Sequence, residues 1–178
     1  MHNCVTVIVL KRMNFVLSFK IKNYTMDNEK TIDVLNSIIQ INNDRIEGYE
    51  TASKETEEVD LKTLFSGFID TSAQCKKGLE DEVEKLGGKP TESTRITGKF
   101  FRVWMDVKAA LTGNDRKAIL NSCEYGEQAA QDTYEKVLTD ELENLTAEQQ
   151  TMLAAQSKLL HADHNKIISL RDALVESN

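Results

Sequence analysis

An all-α, four-helix bundle is the fold class this sequence predicts, and three observations carry the prediction. Aliphatic residues recur at helical spacing through most of the chain, and one proline in 178 residues leaves little to interrupt helices. Glycine and capping residues fall between the periodic stretches and divide them into four long segments and one short one. The length suits one domain with a sizeable core.

The first long helix is expected from Thr31 to about Glu58, with Ile32, Leu35, Ile39 and Ile46 on one stripe. The second carries Leu61, Leu64, Phe68, Cys75, Leu79 and Leu86 and ends at Gly87-Gly88, where a left-handed cap is available. KPTESTRIT then reads as a loop. A short helix from about Lys99 to Leu111 follows, with Phe101, Trp104, Val107 and Leu111 on one side and Phe100 beside them. That aromatic cluster is suited to clamping the short helix to the bundle.

Thr112-Gly113-Asn114-Asp115 is both a stop and a fresh N-cap. The third long helix, Arg116 to about Leu138, aligns Ile119, Cys123, Ala130 and Val137. Thr146 with Gln149 forms a capping box that opens the fourth, which continues through Leu153, Leu160, Ile167 and Leu174. Helices of about 23 to 28 residues span about 35 to 42 Å and cannot bury an apolar stripe alone. Two hairpins packed around one core, joined by a crossover long enough to make the second and third long helices parallel, solve this in the ferritin-like topology.

Composition narrows the function. Net charge is −7, but residues 1–26 hold four basic and no acidic side chains, so the remainder is at −11. An acidic body disfavours nucleic acid. No apolar run reaches the roughly 20 residues a membrane helix needs, and four separated basic residues make a poor lipid anchor. Cys4, Cys75 and Cys123 share no short metal-type spacing, and a reduced, cytoplasmic setting is expected. Residues 1–25, β-branched, aromatic and basic, read as an extension outside a domain of 26–178, with Met26 as the expected start. An intact mass that includes Phe15 to Tyr24 would reject that start.

Polar residues expected near the stripe centres are Asn43 and Glu50, then Ser72, then Glu127 and Tyr134, then Gln156, His164 and Arg171. His161 lies about 100° from Leu160, at the margin. A ferritin-like metal centre takes one Glu from each of two helices and a Glu-x-x-His pair from each of the others. That set is incomplete here: Lys158 precedes His161 by three residues, His161 precedes His164, and the second helix has no histidine. Glu50, Glu127 and His164 remain as metal candidates, with His161 a weaker one, and their chemistry suits iron, zinc or manganese. The competing expectation is internal pairing: His164 with Glu127 or Gln156, and Glu50 with Asn43 or Tyr134. There is no phosphate loop, nucleophile elbow or triad, so no catalytic residue or cofactor is assigned. A non-enzymatic bundle acting as a homodimer, small oligomer or binder of a protein partner is the expected function.

The runs LNSIIQINNDRIEGYETA, LGGKP, GKFFRVWMDVKAALTG, CEYGEQAAQDTY and Q…HNKIISLRD resemble the bacterial ferritin-like four-helix-bundle proteins grouped as domain of unknown function 2383. The resemblance spans about 27–172. The motif positions are Gly48, Tyr49 and Glu50; Cys123, Glu124, Gly126 and Glu127; and Gln156, His164, Leu170, Arg171 and Asp172. It implies a ferritin-like fold in a bacterial cytoplasmic protein and brings no catalytic residue with it.

Overall fold

A computed structural model describes the backbone of residues 3–94, 107, 109, 110, 113 and 115–176, and within these the side chains from 28 to 174. Four long helices make up the described chain. They are α1 (Asn3–Glu55), α2 (Val59–Lys85), α3 (Arg116–Asp140) and α4 (Ala147–Glu176), with a 3-10 turn at Leu142–Asn144 between the last two. The expectations for residues 1–25, and for Phe100, Phe101, Trp104 and Leu111, fall on side chains outside those described. Val107 and Ala110 in the expected short helix are helical, and Val107 is buried.

Helix α1 begins at Asn3, well before the expected start at Thr31, and ends at Glu55; the glycine and capping signals of the other long helices act as expected. Gly87 has φ +80°, its N–H donates to Glu84 O at 2.9 Å, and Gly88 N–H donates to Val83 O at 2.9 Å, which closes the end of α2 in a Schellman motif. Gly88 also lies so close to α1 that an added Cβ would stand 2.8 Å from Ile32. Asp115 caps α3 by accepting from Ala118 N–H at 3.0 Å. Thr146 and Gln149 bond reciprocally at 3.0 and 3.2 Å, the two bonds of a capping box.

The order of cross-helix contacts fixes the topology. Along α1, Asn42 and Arg45 meet Tyr134 and Glu127 of α3 in reverse order, so these helices are antiparallel. Gln149 and Gln156 of α4 meet Glu82 and Cys75 of α2 in reverse order too. Helices α2 and α3 therefore run parallel on one diagonal, which is the one-crossover connectivity the sequence predicts. At the end where both begin, Arg116 pairs with Glu58 and Asp60.

The loop expectation for the start of the crossover needs refinement. Residues 89–94 are strapped along α1 by side-chain amides one and two turns apart. Asn36 donates to Lys89 O at 3.2 Å and accepts from Thr91 N–H at 2.9 Å; Gln40 bonds Ser93 Oγ at 2.9 Å; Asn43 donates to Ser93 O at 3.0 Å. Asn43 thus serves the strap instead of pairing with Glu50. The strap covers a second face of α1, and Ile41, Asn42, Asn43, Asp44 and Arg45 are all buried in succession. A single-stripe helix cannot bury five consecutive residues.

Apolar packing divides into two clusters. One holds Leu35, Ile39, Leu79, Val83, Val137, Leu153 and Leu160. The other holds Tyr49, Phe65, Phe68, Val107, Ile119 and Ile167. Replacing Gly87 by Ala puts a Cβ at positive φ and should destabilise by about 1 kcal/mol. Thr146→Ala, which removes one arm of the capping box, should cost a similar ~1 kcal/mol. Urea unfolding measures both. Asn43→Ala should instead leave global stability nearly unchanged while speeding amide exchange at Thr91 and Ser93.

Candidate functional site

Between the two apolar clusters lies a layer of charge. Arg45 of α1 is 1 % exposed and points across the bundle. Its Nε and Nη2 donate to Glu127 Oε1 at 3.0 and 2.9 Å, and Nη2 reaches Oε2 at 2.9 Å. Nη1 donates to Ser72 Oγ of α2 at 2.5 Å, and Nη2 reaches Asp163 Oδ2 of α4 at 3.3 Å. Tyr49, one turn along α1, donates its hydroxyl to Glu127 Oε1 at 2.6 Å. Four helices thus meet at one guanidinium.

The charges balance locally. Glu127 and Asp163 oppose Arg45 and Lys166, whose Nζ lies 3.0 Å from Asp163 Oδ1 from a half-exposed position. Burial alone would lower the Arg45 pKa, but Glu127 and Asp163 outweigh it and hold the guanidinium above its ordinary value. Tyr49 is pushed up, first by burial and then by the Glu127 charge. The same two causes raise the Cys123 thiol. Neutral thiol and phenol, with a permanent cation, are thus the stable forms, and neither cysteine resembles an activated nucleophile. Tyr49 also stacks on Phe65 with centroids 5.3 Å apart and meets Phe68 edge-on at 5.1 Å, so its position is set by packing as well as by hydrogen bonding.

A second, uncharged rung crosses the bundle next to it. Asn42 donates to Tyr134 Oη at 2.8 Å, Tyr134 donates to Gln156 Oε1 at 3.0 Å, and Gln156 Nε2 donates to Cys75 O at 3.0 Å. The chain touches α1, α3, α4 and α2 in turn. Burial holds the Tyr134 hydroxyl protonated.

The predicted ligand set does not assemble. Glu127 is at the centre, but both its oxygens serve Arg45. Glu50 is exposed, which corrects its placement on the inner stripe: the buried face of α1 here carries Arg45 and Tyr49. His164 is 8 % exposed and bonds neither Glu127 nor Gln156; its Nδ1 lies 2.8 Å from Gln131 Nε2. With that amide donating, the ring proton is on Nε2, which is buried without a hydrogen-bond partner. His161 is exposed and shares with His164, Gln131, Glu135 and Ser157 the wall of an open groove of about 560 Å³ between α3 and α4. Arg171 lies at the edge, paired with Glu124 and Asp172. Among the described residues no three His, Cys, Asp or Glu side chains stand together as a metal cage.

Arg45, Tyr49 and Asp163 are the central residues that stripe reasoning missed. For Arg45 and Asp163 the signal was a charged residue falling among apolar ones, Ile41-x-x-x-Arg45 and Leu160-x-x-Asp163, and for Tyr49 it was the Gly48-Tyr49-Glu50 motif.

Glu127→Gln leaves a buried guanidinium without its main counter-charge, and it should destabilise by about 3–5 kcal/mol in urea unfolding. Glu50→Gln should stay within about 0.5 kcal/mol. Alkaline pH should act through the raised groups. Cys75, Cys123, Tyr49 and Tyr134 all titrate above their ordinary values of 9.0 and 10.0 in the fold. The unfolded chain therefore loses these protons first, and stability present below pH 9 falls as pH rises beyond it. Thermal midpoints from pH 8 to 11 should decline, with tyrosinate absorbance from the buried pair appearing only on unfolding.

Comparison with curated proteins gives no match. A protein family described as a domain of unknown function (DUF2383) matches residues 30–140. That span includes Arg45, Tyr49, Ser72 and Glu127 and stops before α4 with Asp163, His161 and His164, so it is shorter than the resemblance read from the sequence motifs. Having matched well over half of its length, the chain belongs to the family described as a domain of unknown function, DUF2383.

Proposed function

We propose that this protein is a non-enzymatic helical scaffold of the ferritin-like kind, working in a reducing cytoplasm through contacts with other protein molecules, including copies of itself. One observation carries the reading: the groups at the bundle centre able to do chemistry, Glu127, Arg45, Tyr49, Asp163 and Ser72, are hydrogen-bonded to one another. Catalytic groups need a free valence toward a substrate, and these are committed to the fold. What remains available is the surface of the helices. Tyr125 on α3 and Leu159 on α4 are 55 % and 47 % exposed, large side chains with apolar surface open to a contact, and tyrosine is a residue enriched at interfaces. The buried thiols Cys75 and Cys123 are not joined as a disulfide, in keeping with a reducing compartment, and among the described residues no helix is long and apolar enough to cross a membrane.

Light scattering over a range of concentrations tests this. The expected result is a dimer or small oligomer that Tyr125→Asp or Leu159→Asp weakens at least tenfold without a change in helicity. A strict monomer that captures no partner at high concentration would sink the proposal.

A second reading, metal binding, is favoured by one observation, that His161 and His164 line the same open groove between α3 and α4. It now rests on the groove with His161 and no longer on Glu50 and Glu127. Elemental analysis of chelator-free protein decides it: iron, zinc or manganese near one per chain, lost in His164→Ala, would support it, and sub-stoichiometric metal that His164→Ala leaves unchanged would reject it.

A further inference from the structure

The acceptors around Arg45 are arranged as a socket. Glu127 presents two oxygens to the Nε and Nη2 edge, Ser72 takes Nη1, and Asp163 takes Nη2 from another side. The ring of Tyr49 lies 5.9 Å from the guanidinium carbon. Acceptors distributed around a plane, with an aromatic ring close by, are the chemistry that recognises a planar delocalised cation. A metal ion asks for donors converging on one point, and no cluster of three such side chains occurs among the described residues. The socket is built by α2, α3 and α4 and held from beneath by Tyr49, whose own place is set by Phe65 and Phe68. Only the tether of Arg45 comes from elsewhere on α1.

We infer that the bundle centre is a guanidinium-binding site, assembled by Ser72, Glu127, Asp163 and Tyr49, which the chain fills with its own Arg45. The site recognises the cation and not the tether, so a free alkylguanidinium binds there once the tether is cut. Closing the bundle is then equivalent to binding a ligand: the α1–α2 hairpin presents the cation, and the α3–α4 hairpin presents both carboxylates. This holds whether or not the molecule acts through protein contacts.

Ethylguanidinium replaces the atoms that Arg45→Ala removes. The test is a thermal and near-ultraviolet titration of Arg45→Ala with millimolar ethylguanidinium, with propylammonium as a cation of equal charge and no plane, and with zinc and manganese. The expected result is a saturable rise in the melting midpoint with ethylguanidinium alone, by mass action on the folded state, and no response from the unaltered protein. Should Arg45→Ala be unfolded by itself, the same titration should bring back its tertiary signal. Equal rescue by propylammonium, rescue by a metal instead, no rescue at all, or an Arg45→Ala protein as stable as the parent would each overturn the inference. A double-mutant cycle reads the native site independently. Glu127→Gln should lower the midpoint strongly beside Arg45 and leave it unchanged or raised in an Arg45→Met background, whereas equal losses in both backgrounds would refute a site built around the cation.

Discussion

A buried guanidinium sets the terms for the rest of this bundle. Moving Arg45 out of water costs several kcal/mol, and the cost is offset only while Glu127, Asp163, Ser72 and Tyr49 are all in place. Those partners sit on different helices, so one charge couples the axial position and rotation of all four. Apolar contacts are non-directional, so the clusters on either side specify register less sharply. The charged layer specifies it closely, because Glu127 must meet one edge of a planar group while Ser72 meets Nη1 and Asp163 meets Nη2. Register is thereby specified by electrostatics and hydrogen-bond geometry, with the aliphatic stripes supplying most of the stabilisation.

The neighbouring rung through Asn42, Tyr134, Gln156 and the Cys75 carbonyl extends the same logic without charge. A polar side chain in a core must find its partner, so each bond excludes arrangements in which that partner is out of reach. The strap at 89–94 performs a related task outside the bundle. By pairing Asn36, Gln40 and Asn43 with an extended segment, it directs the crossover along α1, which delivers the chain to the correct end to start α3 parallel to α2. Connectivity and central geometry therefore converge on α1, the helix that meets the core on one side and the crossover on another.

The same arrangement explains why a bundle with carboxylates and histidines in its sequence does not bring them together. A charged carboxylate inside a bundle is costly without an opposite charge, which a metal or a side chain can supply. Here Arg45 supplies it within the chain, which ties Glu127 to structure and leaves His164 in a separate bond with Gln131. The charged and polar side chains at the centre hold the four helices in one arrangement.

Much of the architecture was legible beforehand because it depends on local rules. The Schellman end at Gly87-Gly88, the Asp115 cap and the Thr146–Gln149 capping box are short-range hydrogen-bond patterns. Leu35, Ile39, Leu79, Ile119, Cys123, Leu153, Leu160 and Ile167 are buried where a 3.6-residue period places them. Glu127 and His164 were found for the same reason, since α3 and α4 each bury one face. Arg45 escaped, Tyr49 entered only as a motif position, and Glu50 was misplaced, because α1 is covered from two directions and periodicity assumes one; Asp163 on α4 escaped as well. The sequence by itself determined where α2 stops, where α3 and α4 start and which apolar stripes they carry, since those depend on neighbours a few residues away, but not the start of α1, which lies at Asn3 and not at Thr31. Only the tertiary structure decided which charges meet, because the partners of Arg45 lie 27, 82 and 118 residues distant, and burial makes an ion choose the nearest opposite charge in space, whatever its place in the chain.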